Sequence, residues 1–131
     1  MLKKIMVGDD QIGIRLLLKE ILERDGYRVF LCANGKEALT TLFEQDLSLV
    51  FLDMKIPGMD GLEILIQIRK HRPDLKVAIM TAYSEIVAIR EAVELDVVGV
   101  FAKPFDIDDV LAFANKEIVE GERDGRQHGM E

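Results

Sequence analysis

The sequence contains a single cysteine, Cys32, among its 131 residues, so no disulfide bond can form within the chain. A zinc site built on several thiolates is not expected for the same reason. There is also no run of 18 consecutive apolar residues, and no transmembrane helix is therefore expected. Met1 is followed by a strand pattern and not by a signal peptide, which predicts a cytoplasmic location without membrane contact.

Basic residues are in deficit, with 17 Lys and Arg against 24 Asp and Glu and a formal net charge of −7. Such a chain is poorly suited to bind nucleic acid, because that binding depends on neutralising phosphates with Lys and Arg. The acidic excess suits a protein that holds a cation. The length fits one domain, predicted over residues 1–120. Residues 121–131 have almost no apolar side chains and are predicted to form a flexible charged tail.

Short apolar segments alternate with segments of helical periodicity along the predicted domain. The predicted strands are 4–8, 27–32, 47–53, 76–81 and 97–102. The predicted helices are 11–25, 36–45, 62–71, 85–95 and 106–120. The second is expected to turn Ala38, Leu39, Leu42 and Phe43 inward, and Asp106 is the predicted N-cap of the last. This alternation is typical of βαβ units, whose right-handed crossovers build a parallel sheet with helices on both faces. We predict an α/β, flavodoxin-like, doubly wound fold with five strands in the order 2-1-3-4-5 and five helices.

Polar side chains stand where four of these strands end. They are Asp9, Asp10, Asp53, Thr81 and Lys103. In the predicted order these four strands are neighbours, so the side chains should meet at the carboxyl edge of the sheet. Each has a simpler explanation alone, since Asp10 can cap a helix, Thr is common in strands and a lysine can be solvated. Together they predict an acidic pocket with one lysine and one hydroxyl.

Three carboxylates without His or Cys form an all-oxygen ligand set, which favours Mg²⁺ over zinc. An aspartate is ionised at neutral pH and can attack phosphorus without a general base, so Asp53 is a candidate for forming an aspartyl phosphate. Lys103 and the hydroxyl of Thr81 would then hold phosphoryl oxygens. Phosphoryl transfer needs mainly positioning and charge neutralisation, and these residues supply both.

Four segments carry a resemblance to a known family. They are the Asp-Asp pair at 9–10, L-D-M-x-I-P-G-M-D-G at 52–61, T-A at 81–82 and K-P-F at 103–105. The sequence resembles response-regulator receiver domains from residue 3 to about residue 120. One departure is Gly8, where the family usually has a bulky apolar residue. This glycine either loosens the turn that follows or is tolerated.

The resemblance implies a role for each residue of the predicted pocket. Asp53 is the implied phosphoacceptor, and Thr81 and Lys103 are the implied phosphoryl contacts. The implied Mg²⁺ site, open to Mn²⁺ or Ca²⁺ as substitutes, is made by Asp9, Asp10, Asp53 and the backbone carbonyl of Lys55. The bond between Lys103 and Pro104 is expected to be cis, as it usually is in the family.

Two longer segments indicate a resemblance to one group within this family. The segments D-D-Q-x-G-I-R-x-L-L at 9–18 and F-A-K-P-F-D-I-D at 101–108 are similar to single-domain response regulators of sporulation phosphorelays. The implied function is a Mg²⁺-dependent phosphotransferase in a limited sense, which accepts phosphoryl from a sensor histidine kinase and passes it to a histidine phosphotransferase. An aspartyl-phosphate phosphatase is a further partner that the resemblance allows, and a monomer is expected. The alternative is a stand-alone, chemotaxis-like receiver that signals by phosphorylation-dependent binding only.

In the first predicted helix Ile14, Leu17, Leu18 and Ile21 share one face that is expected to be buried, and Leu17 is either core or an exposed contact residue. Ile12 and Leu16 lie away from that face, so the helix has more apolar residues than one buried face requires. Such an excess near a reactive edge predicts a docking surface. The family docks its partners through this helix and the loops around the site. The predicted partner-binding residues are Gln11, Gly13, Ile14, Leu17, Tyr83, Pro104 and Phe105.

Two other functions fit this sequence less well: an electron carrier of the same fold and a hydrolase that uses a nucleophilic aspartate. A flavin-binding electron carrier needs a phosphate-binding loop after the first strand, where Asp9 and Asp10 would repel phosphate. A phosphohydrolase with a nucleophilic aspartate needs an acid or base two residues after Asp53, and Lys55 stands there.

Overall fold

The computed structural model describes residues 2–82 and 94–130, with the backbone alone from residue 122 onward. The strands are β1 (Lys4–Gly8), β2 (Arg28–Cys32), β3 (Leu49–Asp53), β4 (Lys76–Ala82) and β5 (Gly99–Lys103). The helices within the described ranges are α1 (Ile12–Arg24), α2 (Gly35–Glu44), α3 (Gly61–His71) and α4 (Ile107–Met130). The strands form one parallel sheet in the order β2-β1-β3-β4-β5, which confirms the predicted fold class. The predicted helix at 85–95 lies outside the described residues except for its last two positions, which form a turn.

β3 occupies the centre of the sheet, and all of its residues are buried. Helices cover both faces, which is why this strand has an almost continuous apolar sequence. On one face the helical side chains of the core come from α2 and α3: Ala38, Leu42, Ile64, Leu65 and Ile68. On the other face they come from α1 and α4: Leu18, Leu22, Val110, Ala114 and Ile118. The chain is therefore doubly wound.

The strand β1 remains regular through Gly8, the position that departs from the family. Gly8 pairs in register with Cys32 of β2 and with Leu52 of β3. A Cβ at Gly8 would lie 3.3 Å from Leu52 Cδ1 and 3.5 Å from Ile56 Cδ1. The glycine is thus tolerated within an intact ladder that continues to the edge of the sheet.

The buried face of α1 is rotated from the predicted one. Leu18 and Leu22 are buried, whereas Leu17, which the pattern places inward, is 46% exposed. Consecutive helical residues lie about 100° apart around the axis, so Leu17 turns to the flank once Leu18 faces the sheet. The residue that precedes α1 is Gln11, and the interpretation of Asp10 as its N-cap is wrong.

The exposed position of Phe43 also differs from its predicted inward one. α2 packs on the sheet through Ala38 and Leu42, which leaves Phe43 58% exposed at the end of the helix. Its ring meets that of His71 edge to face, with the ring centroids 4.8 Å apart. Phe43 is therefore a surface aromatic residue between α2 and α3.

The loop between β3 and α3 is fixed by two close approaches. A Cβ on Gly61 would lie 2.5 Å from Met54 Cα, and a Cβ on Gly35 would lie 2.5 Å from Met59 Cβ. The N–H of Gly35 donates to the carbonyl of Pro57 at 3.0 Å. Because glycine has no Cβ, it allows these backbone segments to approach. The loop that follows Asp53 consequently has a defined position against the sheet.

Arg69 hydrogen-bonds to the backbone of two chain segments that precede β4 and β5. Its guanidinium donates to the carbonyl oxygens of Leu75 at 2.6 Å, Leu95 at 2.7 Å and Asp96 at 3.1 Å. Leu75 immediately precedes β4, and Leu95 and Asp96 lie shortly before β5. Arg69 of α3 therefore joins the amino ends of β4 and β5.

The last helix, α4, begins as predicted and ends later than predicted. The carboxylate of Asp106 accepts a hydrogen bond from the N–H of Asp108 at 2.9 Å, which confirms Asp106 as a capping residue. The predicted end at Glu120 is wrong, because the helix continues to Met130. Arg, Glu and Gln are good helix formers, so a lack of apolar residues does not end a helix. The flexibility of residues 121–131 stays a prediction. No helix in the described ranges is long and apolar enough to span a bilayer.

We expect the thiol of Cys32 to be unreactive in the folded protein. Cys32 is fully buried, and its Sγ lies 3.4 Å from Thr41 Oγ1. Burial raises the pKa of this thiol, so little thiolate is present at neutral pH. A colorimetric thiol assay should detect no reaction within minutes at pH 7 and a complete reaction in denaturant. Equal rates in both conditions would contradict the buried placement.

Candidate functional site

Three carboxylates meet at the carboxyl edge of the sheet. Asp53 is the last residue of β3, and Asp9 directly follows β1. Since Gly8 pairs in register with Leu52, Asp9 and Asp53 stand side by side. One oxygen each from Asp9, Asp10 and Asp53 lies within 4.8 Å of the others. Asp9 and Asp53 are buried and Asp10 is exposed, so the cluster opens to solvent at Asp10.

Lys103, the last residue of β5, reaches these acids. Its Nζ donates to Asp53 Oδ2 at 2.7 Å and to Gln11 Oε1 at 3.0 Å, and it forms an ion pair with Asp9 Oδ2 at 2.8 Å. The lysine side chain is 17% exposed. The bond between Lys103 and Pro104 is cis, as expected. Two buried carboxylates therefore compensate one nearly buried ammonium group.

Backbone groups orient the two buried acids. The N–H of Gln11 donates to Asp9 Oδ1 at 2.9 Å, and the N–H of Lys55 donates to Asp53 Oδ1 at 2.9 Å. Arg15 Nη1 donates to the backbone carbonyl of Asp9 at 2.7 Å. Arg15 is not among the predicted site residues, because a single arginine in a helical pattern does not indicate such a contact. The carboxylates thus have fixed orientations.

Burial and neighbouring charges shift the pKa values of Asp9 and Lys103. Desolvation by burial, assisted by the nearby Asp53, raises the pKa of Asp9 above its ordinary value despite hydrogen bonds from Lys103 and Gln11. Burial acts to lower the pKa of Lys103, but hydrogen bonds to Asp53 and Asp9 outweigh burial and raise that pKa. Lys103 therefore stays a cation at neutral pH, whereas ionised Asp9 lowers the stability of the fold.

We expect Asp9→Asn to raise the free energy of unfolding at pH 7 by about 1 kcal/mol in the presence of a chelator, a common gain when a functional site is relieved. A carboxyl with a higher pKa in the folded state stabilises the fold below its unfolded pKa, here near 3.8, and that contribution is lost as the pH rises through the folded pKa. Urea unfolding with EDTA at pH 4 and pH 7 should show this decline in wild type and a smaller one in the variant. Asp25→Asn, at an exposed residue beyond α1, is the control. A variant less stable than wild type at pH 7 would contradict the expectation.

The donor set at this edge fits Mg²⁺. Its three carboxylates are hard oxygen ligands, and no His or Cys is part of the described cluster. Within the described ranges the partner of Asp9 Oδ2 is the Lys103 ammonium at 2.8 Å, and no neutral donor reaches this oxygen. The acids border a cavity of about 230 Å³, which is lined by Asp10, Gln11, Asp53, Lys55, Ala82 and Lys103. Lys55, whose carbonyl is the fourth predicted ligand, is thus at the same cavity.

Thr81 lies beside this cluster and not within it. It follows Met80, the residue of β4 that pairs with Asp53, and it is 1% exposed. Its Oγ1 has no hydrogen-bond partner among the described residues. A buried hydroxyl without a partner carries a desolvation cost, and a ligand oxygen that accepts its hydrogen bond would remove that cost.

Most of the predicted partner-binding residues line one groove beside Lys103. The groove has a volume of about 520 Å³, and the predicted residues that line it are Gln11, Ile14, Leu17, Pro104 and Phe105. Ala82 and Ile107 line it as well, although they are not among the predicted partner-binding residues. Gly13 is exposed on α1 outside the groove lining, and Tyr83 lies outside the described residues.

An apolar strip continues from this groove along α1. Ile12 is 63% exposed and Leu16 is 55% exposed, next to Leu17 at 46%. Scattered exposed leucines are ordinary, but three exposed apolar residues within two turns of a helix beside a polar cluster mark a contact surface.

Comparison with known proteins identifies the family. A sequence profile of the response regulator receiver domain matches residues 5–115. The chain belongs to the response regulator receiver domain family. This receiver domain is 49% identical over 108 residues to Sporulation initiation phosphotransferase F of Bacillus subtilis (strain 168), which covers 82% of this chain and 87% of that protein. It is 36% identical over 114 residues to the DNA-binding transcriptional regulator NtrC of Salmonella typhimurium, but that match spans only 24% of the regulator.

Solved structures agree with this family. A receiver domain protein (CheY-like) from Methanospirillum hungatei JF-1 matches with a TM-score of 0.89 and 29% identity, over 95% of this chain and 99% of that one. The response regulator protein TrrA from Thermotoga maritima, solved in complex with Mg²⁺ and BeF, matches with a TM-score of 0.78 and 36% identity over 88% and 99% of the chains. Receiver domains bind Mg²⁺ at an acidic pocket and are phosphorylated on an aspartate, and the acidic cluster of this receiver domain fits that chemistry.

Proposed function

We propose that this receiver domain carries a phosphoryl group in a phosphorelay. Asp53 accepts the group from a phosphohistidine of a sensor histidine kinase and passes it to a histidine of a separate phosphotransferase. The 49% identity to Sporulation initiation phosphotransferase F, over 87% of that protein, supports this function and a place in the control of sporulation initiation. We further propose that the protein acts as a monomer in the cytoplasm.

The observation that carries the proposal is the contact of the Lys103 ammonium with the Asp53 carboxylate at 2.7 Å. This ammonium lies next to the nucleophilic carboxylate and can donate a hydrogen bond to an oxygen of a phosphoryl group attached to Asp53. The N–H of Lys55 holds the other carboxylate oxygen of Asp53 at 2.9 Å and so keeps the nucleophile oriented. A positioned nucleophile and a fixed positive charge are the main requirements of phosphoryl transfer.

Each transfer exchanges one bond to phosphorus for another. In acceptance, a carboxylate oxygen of Asp53 attacks phosphorus, the P–N bond of the donor breaks, and its electron pair stays on the imidazole nitrogen. In delivery, an imidazole nitrogen of the phosphotransferase attacks phosphorus, and the P–O bond breaks to restore the carboxylate. The product of the first step is an acyl phosphate, which is reactive enough to be passed on.

The other residues of the pocket neutralise and orient the phosphoryl group. Lys103 donates to one phosphoryl oxygen, and the Thr81 hydroxyl donates to another. A divalent cation held by Asp9, Asp10, Asp53 and the Lys55 carbonyl neutralises phosphoryl charge when it is bound. Mg²⁺ is the proposed ion, and Mn²⁺ or Ca²⁺ are proposed substitutes.

The partners dock at the groove beside Lys103 and along α1. The groove is lined largely by apolar side chains and also by Lys103, whose ammonium contacts Asp53, so a partner seated there lies close to Asp53. The exposed apolar strip Ile12, Leu16 and Leu17 suits the apolar face of a partner helix. We propose the same surface for the kinase, for the phosphotransferase and for an aspartyl-phosphate phosphatase. Gly13 and Tyr83 are proposed contacts at its margins.

The test is a two-step transfer with radiolabelled phosphate. An autophosphorylated sensor histidine kinase is mixed with the receiver domain in Mg²⁺, and a purified histidine phosphotransferase is added afterwards. Label that appears on the receiver domain and then moves to the histidine is the expected result.

Two other results would change the assignment. Label that stays on the receiver domain until it hydrolyses would favour the chemotaxis-like alternative, in which the phosphorylated form signals by binding alone. A receiver domain that acquires no label from any donor, including acetyl phosphate, would rule out both functions.

A further inference from the structure

The side chain of Gln11 does not cap α1, although the residue stands at the N-cap position. Gln11 occupies the N-cap position of α1, where Ser, Thr, Asp and Asn are preferred because their side chains accept from the first free N–H groups. No side-chain hydrogen bond caps α1. The amide oxygen of Gln11 accepts instead from Lys103 Nζ at 3.0 Å, across 92 positions of sequence.

Gln11 contacts Asp9 through its backbone and Lys103 through its side chain. Its backbone N–H donates to Asp9 Oδ1 at 2.9 Å, while its side-chain oxygen accepts from Lys103. The ammonium of Lys103 has three N–H donors, and three groups face it within 3.0 Å: Asp53 Oδ2, Asp9 Oδ2 and Gln11 Oε1. Two of these acceptors are charged, and Gln11 is the neutral one.

The two charged acceptors change during the proposed reaction, and Gln11 does not. Asp53 loses its carboxylate charge when it becomes an acyl phosphate. Asp9 belongs to the proposed metal ligands, so its oxygens are shared with a cation. The amide of Gln11 keeps the same charge and the same acceptor oxygen in every state.

We propose that Gln11 is a positioning residue that holds the Lys103 ammonium at the phosphoryl position while the charge on Asp53 changes. The inference rests on the proposed function. It assigns Gln11 a role in the chemistry itself, separate from its predicted place on the partner surface. Gln11 acts through Lys103 and makes no bond to phosphorus.

The test separates chemistry from partner docking by using a small phosphodonor. Phosphoramidate in saturating Mg²⁺ phosphorylates wild type and Gln11→Met, a variant of similar length whose thioether is a weak acceptor. We expect phosphorylation of Gln11→Met to be about tenfold slower, the size expected for one hydrogen bond to a charged group. Gln67→Met, the same replacement at a half-buried position of α3 outside the site, should be phosphorylated at the wild-type rate.

Two further readouts distinguish positioning from a general structural effect. In a Lys103→Ala background the Gln11→Met change should have no additional effect on the rate, because the group that Gln11 positions is absent. In the unphosphorylated protein without metal, the ¹⁵N-lysine NMR signal of the Lys103 ammonium should exchange its protons faster with water in Gln11→Met than in wild type.

The outcomes are distinct from those that test the proposed function. A wild type that takes no phosphoryl overturns the proposed function and this inference together. A labelled wild type with Gln11→Met labelled at the same rate overturns this inference alone. An equal slowing by Gln11→Met with and without Lys103, or an unchanged ammonium signal, overturns it as well.

Discussion

Asp53→Asn is expected to abolish phosphorylation of this receiver domain, by at least about a thousandfold in rate, because a neutral amide is not a nucleophile towards phosphorus. The replacement preserves the local structure. Asparagine retains an oxygen that can accept from the N–H of Lys55, which Asp53 Oδ1 now accepts at 2.9 Å. What is lost is the charged oxygen that faces Lys103 at 2.7 Å. The loss of activity therefore reports the chemistry of the carboxylate and not a loss of fold.

The measurement is incorporation of label from a phosphorylated kinase and from acetyl phosphate, followed by treatment with hydroxylamine, which cleaves acyl phosphates. Asp60→Asn is a matched control. Asp60 ends the loop that follows Asp53 and accepts from the N–H two residues ahead, at 3.0 Å, as Asp53 does. Its variant should be labelled normally. Hydroxylamine-sensitive label on Asp53→Asn would show that another carboxylate is the acceptor.

Lys103→Ala has the second largest expected effect, and it appears in stability as well as in activity. The replacement leaves Asp9, which is fully buried, and Asp53, which is nearly so, without their shared cation. Removing one partner of a buried ion pair costs about 3–5 kcal/mol, because a buried charge is left uncompensated. We expect the free energy of unfolding to fall by about 3 kcal/mol in a chelator, and added Mg²⁺ to recover more of it in the variant than in wild type.

Urea unfolding with EDTA and with Mg²⁺ measures this difference. Lys76→Ala is the matched control, since Lys76 Nζ forms a comparably buried pair with Glu117 at 3.0 Å. Lys76 is the first residue of β4 and lies at the end of the strand away from the acidic cluster. Its variant should lose stability equally with and without Mg²⁺. If Lys103→Ala behaved in the same way, the lysine would not be balancing the acidic cluster.

The positions of the site residues could be predicted because topology alone brings them together. β3 is recognisable as a buried run that ends in Asp53, and the parallel order places the ends of β1, β4 and β5 beside it. No side-chain detail is needed for that step. The sequence therefore predicts which residues share the edge of the sheet. In the structure Lys103 contacts Asp9 and Asp53, and Asp10 lies within 4.8 Å of both acids.

Other features depend on rotations and rotamers that a sequence pattern does not contain. Leu17 and Phe43 are exposed because the helices turn Leu18 and Leu42 towards the sheet, and apolar neighbours on both sides hide that choice. The contact of Gln11 with Lys103 depends on one rotamer at each residue. The predicted end of α4 at Glu120 is too early, because a low content of apolar residues indicates an exposed segment and does not indicate whether that segment is helical.

Arg69 has a consequence for how motion is distributed along β4. Because one guanidinium holds Leu75 together with Leu95 and Asp96, the start of β4 is a clamped end. Thr81, at the opposite end of the same strand, has an unpaired hydroxyl among the described residues. The amino end of β4 is thus held both by the sheet and by a side chain of α3, whereas its carboxyl end is held by pairing with β3 and β5. Amide hydrogen exchange should accordingly be slowest near Val77 and faster towards Ala82.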